Sequence, residues 1–179
     1  QYNKKDARVL HDGMLTAWRS ANGRYNLTMA EAEGFGFGVE AREKMWACAM
    51  AGSYVMALGW SFDRPDAPSV DDLNACGNLV RFFESTSVNE MAPHDELRAE
   101  GTEYVLAALG KGCIAYSSKP GETLGMRAMA PGTYRLRWFD PVSGKSLTQD
   151  RVPVSSGRQR WERPPGFRGP AVVHARRTP

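Results

Sequence analysis

The spacing of the apolar residues changes part way along this chain of 179 residues. Up to about residue 84, apolar side chains recur every three or four positions in some segments and form short continuous runs in others. That pattern predicts helices alternating with strands. From about residue 103, short apolar runs are separated by Gly and Pro, which predicts strands joined by turns. The sequence therefore predicts an α/β part followed by an all-β part.

Three segments of the first part are predicted to be helices. Residues 11–21 place their apolar side chains on one face, and residues 39–51 are rich in good helix formers. Residues 69–84 also have helical spacing, and Ser69 stands where an N-cap belongs.

Two short apolar runs, residues 25–30 and 53–58, alternate with these helices and predict buried parallel strands. The first run leads into a flexible turn with glycine at alternate positions, residues 34–38. Alternating strands and helices indicate a parallel sheet covered by helices, but two strands do not complete such a domain. A whole eight-stranded β/α barrel needs about 250 residues, so only the last units of a larger domain fit this length.

The second part is predicted to be a small antiparallel β-sandwich. Residues 103–109 and 113–117 flank a Gly-Lys-Gly loop, which is typical of a hairpin. Further strands are expected at residues 123–129, 132–139, 147–154 and 171–175.

Charge is distributed unevenly between the two parts. Residues 1–109 carry 10 Lys and Arg against 16 Asp and Glu, a net charge of −6, whereas residues 110–179 carry 13 against 4, a net charge of +9. A basic part of this kind could attract an anionic partner. We interpret the excess instead as alternating Arg residues on solvated strand faces. No nucleic-acid-binding motif accompanies them, so no nucleic-acid partner is expected. No apolar run approaches the roughly 18 residues that a membrane span needs.

Cysteine and histidine give no sign of a disulfide framework or a metal site. The three Cys are widely spaced without a Cys-x-x-Cys motif, and His11, His94 and His174 are far apart in sequence. We therefore expect buried free thiols, no metal and no cofactor. The chain starts without Met and without a signal-peptide pattern, which indicates either a processed start or a fragment.

Several motifs together resemble one family of glycoside hydrolases. They are the turn Trp-Phe-Asp-Pro-Val-Ser-Gly at residues 138–144, the Pro164-Pro165 step, the last strand at 171–175, and the preceding stretch ACAMAGSYVMALG at 47–59. Members of that family have an apiosidase-like β/α barrel followed by a small β domain labelled collagen-binding. The resemblance implies the C-terminal portion of a TIM-type barrel at residues 1–100. It also implies a β-sandwich at residues 101–179 that packs on the barrel.

The resemblance also implies a site. The family places an acidic residue at the carboxyl end of the seventh barrel strand, which corresponds here to Glu31 or, in the alternative register, Glu33. Glycosidases use two carboxylates across the scissile bond, so this residue is expected to be one catalytic group, the nucleophile or base. Trp60 follows the next strand and is expected to stack on a sugar ring. The second carboxylate is expected on an earlier strand that this chain lacks.

The predicted function is hydrolysis of glycosidic bonds in a polysaccharide or glycan, by a protein of which this chain is the C-terminal part. The alternative is a non-catalytic module that binds carbohydrate or protein, or a β domain that only caps the barrel. The family resemblance points to a secreted or periplasmic protein.

Overall fold

The computed structural model describes residues 6–29, 37–55 and 69–178. The chain forms two compact units, of which the first ends at Arg81 and the second begins at Phe82. The domain boundary expected between residues 100 and 101 stays a prediction.

Two helices of the first unit pack against each other. α1 (Ala7–Ala21) begins after Asp6, whose side chain accepts a hydrogen bond from the amide of Val9 at 2.8 Å. α2 (Gly38–Met50) is buried continuously over residues 44–50. The buried ring of His11 lies on α1 with its Nδ1 2.7 Å from the carbonyl oxygen of Ala47 on α2. This polar contact fixes the two helices in register, and it gives His11 a structural role.

The third helix, α3 (Val70–Glu84), begins where the sequence predicts. The hydroxyl of Ser69 accepts a hydrogen bond from the amide of Asp72 at 3.2 Å, while the Asp72 carboxylate accepts from the Ser69 amide at 2.9 Å. This reciprocal pair is a capping box, so the prediction of Ser69 as the N-cap is confirmed. The same carboxylate accepts from the amide of Gly38 at 2.6 Å, which ties the start of α3 to the start of α2.

One pair of short parallel strands occurs among the described residues of the first unit. β1 (Thr28–Met29) pairs with β2 (Tyr54–Val55) in parallel register. Thr28 and Tyr54 are exposed, although parallel strands in α/β domains are normally buried on both faces. The expectation of buried strands is therefore wrong at these two positions.

The predicted fold class, the last β/α units of a TIM-type barrel followed by a small antiparallel β-sandwich, is wrong. About 37% of the described residues lie in strands, and every strand pairing among them except β1–β2 is antiparallel. A barrel of alternating β/α units requires a run of neighbouring parallel strands. The error has a physical reason. The order of helices and strands along a chain does not specify which strands pair or in which direction, because those pairings depend on residues far apart in sequence.

The described residues of the second unit form nine strands in two antiparallel sheets. They are β3 (Ala92–Pro93), β4 (Arg98–Ala99), β5 (Tyr104–Ala108), β6 (Gly112–Ser117), β7 (Thr123–Met129), β8 (Gly132–Phe139), β9 (Ser146–Val154), β10 (Gly157–Glu162) and β11 (Ala171–Arg177). The larger sheet has the order β3-β5-β6-β11-β8-β9 and the smaller has the order β10-β7-β4. The hairpin predicted around the Gly-Lys-Gly loop is confirmed as β5–β6, with Gly110 at a φ of +80°.

Both sheets of the second unit contribute to one hydrophobic cluster. Trp138, Val173 and Ala175 enter it from the larger sheet, and Leu124 and Trp161 enter it from the smaller sheet. Side chains alternate between the two faces of a strand. His174, between Val173 and Ala175, and Arg176, after Ala175, therefore lie on the opposite face of the larger sheet.

Candidate functional site

The site residues expected from the family resemblance, Glu31, Glu33 and Trp60, lie outside the described residues. The strands that precede them in sequence are described. Met29 of β1 pairs with Val55 of β2 in parallel register, and each is the last described residue of its strand. Their carboxyl ends therefore lie at the same edge.

A surface cavity of about 570 Å³ lies in the second unit. Its wall is formed by the end of the β5–β6 hairpin, by the end of β11 and by the segment that precedes β3. The lining residues are Ser87, Glu90, Met91, Ala108, Gly110, Lys111, Gly112, His174, Arg176, Arg177 and Thr178.

Strand pairing brings these distant segments together. In the β6–β11 ladder Gly112 pairs with Arg176, and the amide of Arg177 donates to the carbonyl oxygen of Lys111 at 2.8 Å. A Cβ at position 112 would lie 2.7 Å from the carbonyl oxygen of Ala175. A side chain at that position would push the hairpin away from β11. Gly112 therefore allows the close approach that shapes one wall of the cavity.

The lining carries more positive than negative charge. Lys111, Arg176 and Arg177 are cationic, and Glu90 is the one carboxylate among the lining residues. Glu90 forms an ion pair with the Lys111 ammonium at 3.1 Å, and the Arg177 guanidinium donates to the carbonyl oxygen of Pro131 at 2.9 Å. Arg176 is exposed, and within the described part of the chain its side chain forms no ion pair and no hydrogen bond. Among the described residues, Arg176 is thus the cation of this cavity whose side chain has no protein hydrogen bond or ion pair to give up when a ligand binds.

His174 lies beside Arg176 on the same face of β11 and is half-buried. Burial lowers the pKa of His174 to about 4, and the positive charges of Arg137 and Arg176 act in the same direction. The imidazole is therefore neutral at neutral pH. A neutral imidazole offers one N–H donor and one nitrogen acceptor, which suits a hydroxyl group.

Two of the three cysteines, Cys48 and Cys113, are buried and unsuited to nucleophilic chemistry. Burial raises the pKa of both Cys48 and Cys113 to about 12, so neither forms a thiolate near neutral pH.

Within residues 6–29, 37–55 and 69–178, no group of three or more His, Cys, Asp or Glu side chains is placed to hold a metal ion. In those same ranges, no helix has the length and apolar character that crossing a membrane would require.

Reasoning from the sequence missed the cavity and its residues. The sequence contains part of the pattern that marks the cavity. His174 and Arg176 are two positions apart on a strand, and Lys111 lies between two glycines. However, the last strand was expected to end at residue 175, before Arg176. The pairing of that strand with the hairpin was also invisible in a single sequence.

No protein-family model matches the chain, and no curated protein is significantly similar to it in sequence. Its fold is similar to part of the crystal structure of a glycoside hydrolase family 5 protein from Bacteroides vulgatus ATCC 8482. The TM-score is 0.57 and the sequence identity 13%, over 78% of this chain and 36% of that protein. A second structure, described as a glycoside hydrolase, gives a TM-score of 0.57 and 12% identity over 78% of this chain and 37% of its own. The chain thus spans just over a third of each neighbour, and the likeness concerns the fold.

Proposed function

We propose that the chain is the C-terminal part of a glycoside hydrolase-like protein that cleaves glycosidic bonds in a polysaccharide or glycan. The observation that carries this proposal is the similarity of fold to two glycoside hydrolase structures over 78% of the chain. The second unit is an accessory to catalysis in this proposal, because its cavity contains one carboxylate, already paired with Lys111.

The catalytic carboxylate in this proposal is Glu31, with Glu33 as the alternative. Each glycosidase carboxylate acts as acid, base or nucleophile at the scissile bond. The support is positional. Glu31 comes two positions after Met29 of β1, Trp60 comes five positions after Val55 of β2, and these strands are parallel neighbours. Trp60 is proposed to stack on a sugar ring, since aromatic rings offer a flat apolar face.

A carbohydrate-binding module without catalysis is the second candidate. The cavity of about 570 Å³ in the second unit favours it, because that volume is typical of small-ligand sites, roughly 300–1,000 Å³.

The test uses the protein in its full natural length. Its intact mass is compared with the 19.8 kDa of this chain, and its hydrolysis of a panel of polysaccharides is measured as release of reducing ends. The proposal expects a larger mass and hydrolysis of at least one glycan. A native mass of 19.8 kDa without hydrolysis would contradict it and favour the binding module.

Substitutions then identify the carboxylate. Glu31→Gln is expected to lower kcat by about 10²–10⁴-fold, the usual contribution of a positioned acid or base. Glu33→Gln gives that loss if the alternative register applies. The control is Glu162→Gln, at an exposed carboxylate on β10 paired with Arg160. A wild-type kcat in both Glu31→Gln and Glu33→Gln would refute both assignments.

A further inference from the structure

The cavity in the second unit is larger than an inorganic anion requires. Its volume of about 570 Å³ lies within the range of pockets that hold a small organic ligand. Its wall is mixed in character, with Met91 and Ala108 beside cationic side chains. Such a lining suits a ligand that carries both apolar surface and a negative charge.

The charges in the cavity indicate where an anionic group would be held. Lys111 forms a solvent-exposed ion pair with Glu90, and the guanidinium of Arg177 donates one hydrogen bond to the Pro131 carbonyl oxygen. Arg176 has no such side-chain partner among the described residues. A guanidinium can bind a carboxylate through two parallel N–H···O hydrogen bonds, a geometry that adds both energy and specificity. Arg176 is therefore the group best suited to a ligand carboxylate.

The neighbouring histidine adds a second kind of contact. His174 is two positions before Arg176 on the same face of β11. A neutral imidazole at this place offers one donor and one acceptor, and thus complements a hydroxyl group beside the carboxylate. Sugar acids combine these two groups on one ring.

From these observations we propose that the cavity binds an acidic sugar residue of a polysaccharide, with Arg176 binding the carboxylate and His174 contacting a ring hydroxyl. This inference rests on the proposed function and narrows its substrate to glycans that contain uronic acid. The modest net charge of the cavity, three cations against one carboxylate, favours recognition of one acidic residue over binding to a dense polyanion.

The test measures binding of trigalacturonate to the full-length protein by isothermal titration calorimetry at moderate salt. The matched ligand is the fully methyl-esterified trisaccharide, which keeps the sugar rings but has no negative charge. We expect binding of the acid form and at least tenfold weaker binding of the ester. Arg176→Gln should weaken binding of the acid form by about tenfold or more, because a charge-assisted hydrogen bond is lost.

The control variant is Arg160→Gln, at an exposed arginine on β10 that does not line the cavity. It should bind the trisaccharide as the wild type does. Equal weakening by both variants would show a general charge effect and overturn the inference. Displacement of the trisaccharide by equimolar inorganic phosphate would also overturn it, since the site would then hold a free anion.

Failure of this inference is distinguishable from failure of the proposed function. Hydrolysis of a neutral glycan without trigalacturonate binding overturns the inference and leaves the hydrolase proposal intact. Binding that depends on Arg176, in a protein that hydrolyses no glycan, supports the inference about the cavity and refutes the hydrolase.

Discussion

Replacing His174 by Gln is expected to make the second unit less sensitive to acid. His174 lies on β11, paired with Ile114 on one side and Arg137 on the other. Arg137 is held in place by Phe82, whose ring centroid lies 4.9 Å from the guanidinium carbon. Protonating His174 in the folded state would thus add a positive charge to a half-buried site next to a fixed one.

The magnitude follows from the two pKa values. Burial, reinforced by Arg137 and Arg176, lowers the pKa of His174 from 6.5 to about 4 in the folded protein. Above pH 6.5 neither state binds the proton. As the pH falls from about 6.5 towards 4, the unfolded chain takes up the proton and the folded protein does not, so the free energy of unfolding decreases. Between pH 7.5 and 5.0 the loss is about 2 kcal/mol, and it approaches about 3 kcal/mol below pH 4.

The measurement is urea unfolding at pH 7.5 and pH 5.0, followed by far-UV circular dichroism and Trp fluorescence. His174→Gln cannot take up a proton at this position, so its loss of stability over this range should be smaller than that of the wild type by about 2 kcal/mol. His94→Gln is the control, because His94 lies beside the Glu96 carboxylate at 2.6 Å and leaves His174 in place. A parallel loss of stability in the wild type and His174→Gln would refute the reasoning.

Three other predictions concern packing and the thiols. Gly125→Ala should lower the free energy of unfolding by about 2–3 kcal/mol in urea titrations, because a Cβ there would overlap the carbonyl oxygen of Gln159. The control is Gly169→Ala, where a Cβ meets nothing within 4 Å, and it should change the free energy of unfolding by no more than about 0.5 kcal/mol. Equal losses in the two variants would contradict the packing argument. Arg163→Met should lower the free energy of unfolding by about 3 kcal/mol, because the buried guanidinium donates to three backbone carbonyls. An unchanged midpoint of urea or thermal unfolding would contradict this. Cys48 and Cys113 should resist a thiol reagent at pH 8 until urea unfolds the chain, because burial raises the pKa of each to about 12; rapid labelling of the native protein would contradict this.

The sequence alone determined the elements that depend on nearby residues. The three helices follow from apolar spacing and helix-forming residues, although α1 begins at Ala7 and not at the predicted residue 11. The start of α3 follows from Ser69 and Asp72, which are three positions apart. The β5–β6 hairpin follows from a loop in which Gly110 adopts a positive φ. Each of these features is fixed by contacts within a few positions along the chain, so one sequence suffices to predict it.

The tertiary structure decided the sheet architecture and the cavity. The order of elements predicted barrel units, but strand partners depend on residues far apart in sequence, and the structure pairs most strands antiparallel. The cavity depends in the same way on the pairing of Gly112 with Arg176. A polar residue at a strand end becomes part of a site only when another segment closes a wall beside it. Side-chain alternation along β11 shows which face His174 and Arg176 share, but only the fold shows what lies opposite them.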